Sequence, residues 1–583
     1  MACRTRRDGG RLGAPSRARP RLGPAEDFDA GGDVVQGLMQ RYPLTLPPVL
    51  LRAERMFADK RLITATVNGV ERRSYGDWAA ETRRLGGVLD TLGVSPDGRV
   101  GTFAWNTARH VALYWAVPCS GRILHTLNIR LFPHQLTYIV NHADDEVIFV
   151  DRSLLPVLWP LVATFERVRH IVVMDDGAQT DIPDDPRLLD YASLVAAAEP
   201  VAYEIDDEER AAAMCYTSGT TGHPKGVLYS HRSLYLHALS ALSAAGLGIS
   251  ESDVVLPVVP LFHANAWGLA QAPIFAGADL VLPGPNMGPE AIAGLLSSEH
   301  VTVTAGVPTI WLGLAPLLDS YDLSSLHTVV GGGSAVPKAL SETFREKLGL
   351  PILHAWGMTE TSPLASVSRP LSGDVALSDA EQAERRARQG TPPAGVDLRI
   401  VEPGTTDELP WDDEATGELQ ARGPWIAAGY YDDERSGDSF TTDGWLRTGD
   451  VAAIDSRGSV RLVDRTKDLV KSGGEWISSV ELENRLMAHP KVKEAAVIAV
   501  AHPRWQERPI ACVVAESGVE VTKEELLDHL RPLVAKWWLP DDVVFIDEVP
   551  KTSVGKFSKK DLREQFADYR LPEQGTPEDL PST

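Results

Sequence analysis

The chain has 583 residues, 43% hydrophobic and 23% charged, with 49 Gly and 41 Pro; this globular composition excludes disorder, collagen and coiled coil, and the length exceeds the usual single domain of about 150 residues. Lys plus Arg number 57 against 80 Asp plus Glu, a formal charge of −23, so the field repels nucleic acid and anionic lipid, and an anionic ligand needs cations gathered locally. Four cysteines, Cys3, Cys119, Cys215 and Cys512, lie far apart without C-x-x-C or ligand-spaced His, which argues against a disulfide framework or zinc site and fits a reducing, cytoplasmic setting.

In chain order, residues 1–25 carry seven arginines and one acidic residue, Asp8, among Gly and Pro. Residues 1–32 therefore read as a disordered leader, a tail or early start, rather than a secretory or amphipathic presequence. A helical pattern over Tyr75–Leu92 precedes a strand at Arg99–Phe103, and this alternation recurs without an internal repeat, so a layered α/β fold is expected. Val254–Ala278 is 25 residues without Asp, Glu, Lys or Arg. Pro257, Pro260, Pro273, His263, Asn265 and Gln271 would break or burden a membrane span, so buried strand, loop and helix are expected instead. Near the end, strands at Ala495–Ala501 and Ile510–Ala515, a helix at Glu524–Trp537 and a strand at Val543–Ile546 make a compact α/β unit.

Between strand candidates Ala211–Tyr216 and Gly226–Tyr229 lies Tyr216-Thr-Ser-Gly-Thr-Thr-Gly-His-Pro-Lys225-Gly. Gly219 and Gly222 let backbone N–H groups converge, Thr217, Ser218, Thr220 and Thr221 add hydroxyls, and Lys225 adds charge, so phosphate is the natural guest. A P-loop is excluded, because Lys225 is followed by Gly226 and not by a Ser or Thr that would hold Mg²⁺.

This loop resembles the signature of the adenylate-forming superfamily, which includes acyl-CoA synthetases, luciferases and peptide-synthetase adenylation domains, and the family's other motifs follow in order. Gly331-Gly-Gly-Ser-Ala-Val-Pro337 resembles the turn that passes close to adenine and acid, through Gly333, Ser334 and Ala335. His354-Ala355-Trp356-Gly357-Met-Thr359-Glu360 resembles the nucleotide motif. The resemblance implies that Trp356 stacks on adenine, Thr359 touches the α-phosphate, and Glu360, with Thr220, serves Mg²⁺. Trp stands where Tyr or Phe is commoner. Thr448-Gly-Asp450 resembles the ribose-binding aspartate. In Asp464-Arg-Thr-Lys-Asp-Leu-Val-Lys471-Ser-Gly-Gly474, Arg465 would bind nucleotide, Lys467 would sit at an interdomain hinge, and Lys471, Ser472, Gly473 and Gly474 would border the CoA path. Pro550-Lys-Thr-Ser-Val-Gly-Lys556 resembles the loop that delivers the catalytic lysine, Lys556.

What the resemblance implies is an α/β protein with a large multi-layer N-terminal domain, 33–464, and a small mobile α+β C-terminal lid, 465–583. Such an enzyme uses ATP and Mg²⁺ to convert a carboxylic acid to acyl-AMP and then, with coenzyme A, to acyl-CoA. Pro260–Gly268 lines the boundary between acyl pocket and CoA tunnel in the family, with His263 as a gate, and its lack of Asp, Lys and Arg favours an uncharged aliphatic or aryl tail. Local choices such as Lys536-Trp-Trp-Leu-Pro540 are most similar to medium- or long-chain fatty-acid and 3-methylmercaptopropionate CoA ligases. An aryl acid, or a carrier protein in place of CoA, are the alternatives, and a homodimer is left open. Gln506 stands where much of the superfamily has glycine, on the CoA side.

Overall fold

Val147 and Phe149 pack into one core and Ile148 and Val150 into another, the period-two alternation of a strand buried on both faces. In the computed structural model, which describes residues 37–217, 223–472, 475–552 and 556–571, that strand, Asp145–Asp151, lies within a seven-stranded sheet. The order is Leu188–Asp190, His170–Met174, Asp145–Asp151, Arg99–Phe103, Ile123–Thr126, Ala211–Tyr216 and Gly226–Ser230, parallel except for the last pair. An eight-stranded sheet has the parallel inner order Ile352–Gly357, Thr328–Gly332, Val303–Gly306, Val254–Pro257, Asp279–Leu282 and Arg61–Thr66, with antiparallel edges Leu364–Val367 and Gly69–Ser74.

The largest core joins the inner faces of both sheets to the helices Tyr75–Thr91, Ala108–Cys119 and His231–Leu242, through Trp78, Leu85, Val111, Trp115 and Leu234. Two outer cores cover the far faces, one with Leu136 and Ile139, the other with Ile292, Trp311 and Phe344. Helices thus sit between and outside the sheets, the multi-layer arrangement expected from the alternating sequence. The helix expected at Tyr75–Leu92 spans Tyr75–Thr91. Ser74 starts it, accepting from Asp77 N while Asp77 answers to the Ser74 backbone, a capping box of the kind that contributes about 1 kcal/mol.

A four-stranded antiparallel sheet follows, Asp397–Val401, Gly417–Arg422, Leu446–Ile454 and Val460–Arg465. The last sheet contains only residues beyond 469: Glu475–Ile477, Val470–Ser472, Gln506–Ala515 and Val492–His502, with Asp542–Phe545 parallel to Gln506–Ala515. From Pro43 onward the chain forms one compact unit.

Two expectations change here, and a third holds. The two long terminal strands extend beyond Ala495–Ala501 and Ile510–Ala515 to form a hairpin whose turn places Gln506 at φ 69°, the left-handed region that explains why glycine suits this position. The helix expected over Glu524–Trp537 spans only Lys523–Leu530, with a separate 3₁₀ turn at Lys536–Trp538; Pro532 has no N–H to continue it. Val254–Ala278 resolves into the strand Val254–Pro257, a turn at Ala264–Gly268 and the helix Ala272–Ala276. Among the described residues no helix is long and apolar enough to cross a membrane. The leader 1–32 lies outside the described residues.

Candidate active site

The parallel strands of the eight-stranded sheet end on one side in small residues, Gly306, Gly332 and Gly357, and in such sheets ligands bind beyond the carboxyl ends of strands. A cavity of about 250 Å³ opens there, lined by Thr217, Lys225, His263, Gly333, Ala355, Trp356, Gly357, Thr359, Glu360, Arg465 and Lys556 among the residues singled out from sequence. Segments separated by more than 300 residues thus supply one wall. At Gly333, where φ is 81°, a Cβ would stand 3.1 Å from Lys556 Cε and 3.5 Å from the Trp267 ring. Glycine is required both by its backbone and by the close approach of the lysine.

The hydroxyl loop is closed at its base: Thr217 N donates to Lys225 O at 2.9 Å and Lys225 N to Thr217 Oγ1 at 3.2 Å. Ser218, Gly219, Thr220, Thr221 and Gly222 lie outside the described residues, as do Gly473 and Gly474. Lys225 Nζ donates to Ser439 Oγ at 3.1 Å and stands 4.3 Å from the Tyr430 ring centroid. Tyr430 in turn donates its hydroxyl to Glu360 Oε1 at 2.6 Å, and burial with the Glu360 charge raises the phenol well above its ordinary range. Glu360 is buried, and its carbonyl accepts from Ala427 N at 2.8 Å.

Asp450 does not line the cavity but stands directly behind it, 3% exposed. Trp356 Nε1 donates to its Oδ2 at 2.9 Å, and Arg465 Nε lies 3.0 Å from its Oδ1. The Asp450 carboxylate holds the Arg465 guanidinium charged, raising its pKa. Burial in the cavity, and then Arg465, push the Lys556 ammonium down to about 8, opposed by Asp450 and Glu360. Burial and Lys556 lower His263 to about 3, so its imidazole is neutral at physiological pH.

His354 is buried beneath the cavity floor, bonded through Nδ1 to the Ala387 carbonyl at 3.3 Å, and burial lowers it to about 4. Ser334 and Ala335 follow Gly333 outside the lining. Lys467 is exposed, its pKa lowered by partial burial and by Arg465. Lys471 is exposed, with Nζ 5.4 Å from the Trp476 ring centroid, and Ser472 is buried, accepting from Arg508 at 3.0 Å. Both sit on the strand Val470–Ser472, which pairs with Gln506.

Leu247, Ala264, Trp267, Val330, Pro363 and Leu364 give the cavity an apolar part of its lining. Ala264, Asn265, Ala266 and Trp267 all have left-handed backbones, with φ from 42° to 57°. Sequence reasoning did not select Tyr430 or Ser439 as site residues, whereas Trp267 belongs to the stretch Pro260–Gly268 that it singled out. The Gly429-Tyr-Tyr431 aromatic pair before an acidic run was the available signal for Tyr430; nothing marks Ser439.

Mg²⁺ prefers one or two carboxylates with phosphate oxygens and water rather than a full protein cage. Glu360 supplies one hard oxygen donor beside the hydroxyl loop, and no cluster of three His, Cys, Asp or Glu capable of holding a metal occurs among the described residues. The donor set therefore fits a cation that arrives with its nucleotide.

Comparison with known proteins gives the same answer over nearly the whole chain. The AMP-binding enzyme family matches residues 52–431, and the AMP-binding enzyme C-terminal domain matches 481–556. The long-chain-fatty-acid–CoA ligase of Thermus thermophilus is 46% identical over 91% of this chain and 97% of its own length. The 3-methylmercaptopropionyl-CoA ligase of Ruegeria lacuscaerulensis is 43% identical over 91% and 99%. A crystal structure of an anthranilate CoA ligase in complex with anthranoyl-AMP superposes with a TM-score of 0.80 at 26% identity, covering 90% of this chain and 98% of that one.

The chain belongs to the AMP-binding enzyme family. Within it, the protein is an acid–thiol ligase of the AMP-forming kind, an acyl-CoA synthetase whose small-molecule requirements are ATP, Mg²⁺, coenzyme A and a carboxylic acid.

Proposed function

We propose that this synthetase activates a medium- or long-chain fatty acid with an uncharged tail, and that Lys556 is the ammonium that serves its first half-reaction. One observation carries the assignment: Lys556, from the end of the chain, lies against Gly333 in the same cavity as Trp356, Glu360, Arg465 and Thr217. The apolar lining residues Leu247, Ala264, Trp267, Val330, Pro363 and Leu364 support an acid with no second charge. The names of the Thermus and Ruegeria relatives support a fatty acid first and 3-methylmercaptopropionate second.

In the first half-reaction a carboxylate oxygen of the acid attacks the α-phosphorus of ATP and pyrophosphate leaves. Lys556 and the hydroxyl loop, Thr217 to Gly222 with Lys225, neutralise charge developing on the phosphates. Trp356 and the turn at Gly333, Ser334 and Ala335, supported by His354 and Ala355, receive the adenine. Asp450 and Arg465 orient the ribose and phosphate. Glu360, with Thr220, would hold Mg²⁺, which would supply charge neutralisation on the phosphate oxygens. In the second half-reaction the CoA sulfur attacks the acyl carbon and AMP leaves. His263, neutral, stands between acyl pocket and thiol entrance. Lys471, Ser472, Gly473 and Gly474 border that entrance.

The same reading divides the chain into an adenylating domain, 33–464, and a lid, 465–583, turning about Lys467 between the half-reactions. Free, buried Cys119, Cys215 and Cys512 support a cytoplasmic setting. Coenzyme A is the acceptor in this reading, with a carrier protein as the alternative, and gel filtration separates monomer from homodimer. An acid panel scored by ATP consumption with and without CoA tests the proposal. Turnover of C6 to C12 acids supports it, whereas selective turnover of a thioether or aryl acid, or dependence on a carrier protein, replaces it.

A further inference from the structure

Lys559 stands three residues beyond Lys556, at the start of the helix Lys559–Gln565, and belongs to a buried polar cluster outside the cavity. Its Nζ is 2.8 Å from Glu483 Oε1 and donates to Ser479 Oγ at 2.6 Å. The Lys559 and Glu483 side chains are only 11% and 10% exposed. Glu483 also accepts from Val497 N at 2.7 Å. Ser479 passes the contact on: its N donates to Asp464 Oδ2 at 2.6 Å, and its hydroxyl donates to the same oxygen. Asp464 Oδ1 accepts from Arg465 N at 2.7 Å. A continuous line of hydrogen bonds therefore runs from Lys559, three residues past Lys556, to Arg465, another cation that lines the cavity.

The same helix is tied again beyond Lys467, where Arg563 meets Asp468 at 2.7 Å. Buried ion pairs of this kind contribute little net stability, because desolvation offsets their attraction, but they define geometry and leave a costly lone charge when broken. Glu483 pairs with the Lys559 ammonium directly and Asp464 is reached from it through Ser479, so Lys559 has a fixed place in the line.

We propose that Lys559 and Glu483 are positioning residues for adenylation, which act through Ser479 and Asp464 to set the separation of Lys556 and Arg465 across the cavity. The inference rests on the assignment of Lys556 to the first half-reaction. It gives the pair no direct contact with substrate, and it makes the pair dispensable once acyl-adenylate is formed.

Full-length Lys559→Met, Glu483→Gln and Ser479→Ala proteins, with Lys559→Arg as the conservative variant, are assayed for acid-dependent pyrophosphate exchange and, separately, for thioester formation from supplied acyl-adenylate and CoA. Because a misplacement of about 1 Å can cost about 100-fold, exchange is expected to fall by up to about that factor in Lys559→Met. The fall should lie in kcat, with the KM for ATP unchanged, and Lys559→Arg should recover part of it. Thioester formation stays at the wild-type rate. Equal loss in both half-reactions, or full exchange in folded variants, overturns the inference. Should Lys559→Met fail to fold, Ser479→Ala, which removes one hydroxyl from the line, decides by the same two readouts. Failure of the Lys556 assignment looks different: Lys556→Ala then exchanges pyrophosphate like wild type, and the inference falls with it.

Discussion

Trp356 and Asp450 are joined by an indole N–H donated to Oδ2 at 2.9 Å, so the aromatic wall of the cavity and the carboxylate behind it form one unit. Phe in that place has a face but no donor. A hydrogen bond to a charged group contributes about 1.5–3 kcal/mol, and its loss leaves a buried oxygen under-satisfied. Trp356→Phe is therefore expected to raise the KM for ATP about tenfold or more in pyrophosphate exchange, with a smaller effect on kcat. An unchanged KM would show that Arg465 alone orients Asp450.

The pH dependence follows from Lys556, lowered to about 8. The ammonium is the active form, so adenylation should be fully developed below that value and decline as pH rises through it. Thioester formation from supplied acyl-adenylate should not share this alkaline limb. Lys556→Arg, which stays charged, should flatten the limb while lowering the plateau, and Lys556→Ala should abolish exchange and spare much of the second step.

Tyr430→Phe removes the hydroxyl that donates to Glu360. Groups that orient a metal-binding carboxylate typically change metal affinity by about 10–100-fold. The expected result is a higher Mg²⁺ concentration for half-maximal exchange, read from a titration at fixed ATP; an unshifted titration would remove Tyr430 from that role.

Gly333→Ala combines two penalties. The left-handed backbone disfavours a Cβ by about 1–2 kcal/mol, and that Cβ would press on Lys556 Cε at 3.1 Å. Exchange should fall more than thermal stability suggests, with thioester formation less affected. A drop confined to melting temperature would mean that the lysine stands elsewhere during the reaction.

Much of this arrangement was legible in the sequence because the motifs carry their own chemistry. The Gly/Ser/Thr loop, Glu360 and Lys556 each require a phosphate or a cation nearby, and the alternation of helix and strand over Tyr75–Phe103 follows from local periodicity. What was hidden is tertiary. Tyr430 lies in a loop and Ser439 ends the single helical turn Ser436–Ser439, and only folding brings them to Glu360 and Lys225. Apolar spacing carried the terminal helix past Leu530, although Pro532 removes the donor its next turn needs. The Lys559–Glu483 pair joins residues 76 positions apart, and a lysine among Lys551, Lys556 and Lys560 reads as a solvated charge until its neighbours are seen.

The turn from Ala264 to Trp267 holds four successive non-glycine residues in a left-handed backbone, a conformation that each disfavours by about 1–2 kcal/mol on its own. Isolated from its surroundings, this stretch would unwind to another shape, so this part of the cavity wall exists by virtue of the sheets and helices packed around it. Transplanting these residues into a distant scaffold would carry over the letters and leave the contour behind. Under the proposed function, substrate range is a property of the assembled interior, and efforts to redesign it must rebuild the walls along with the turn.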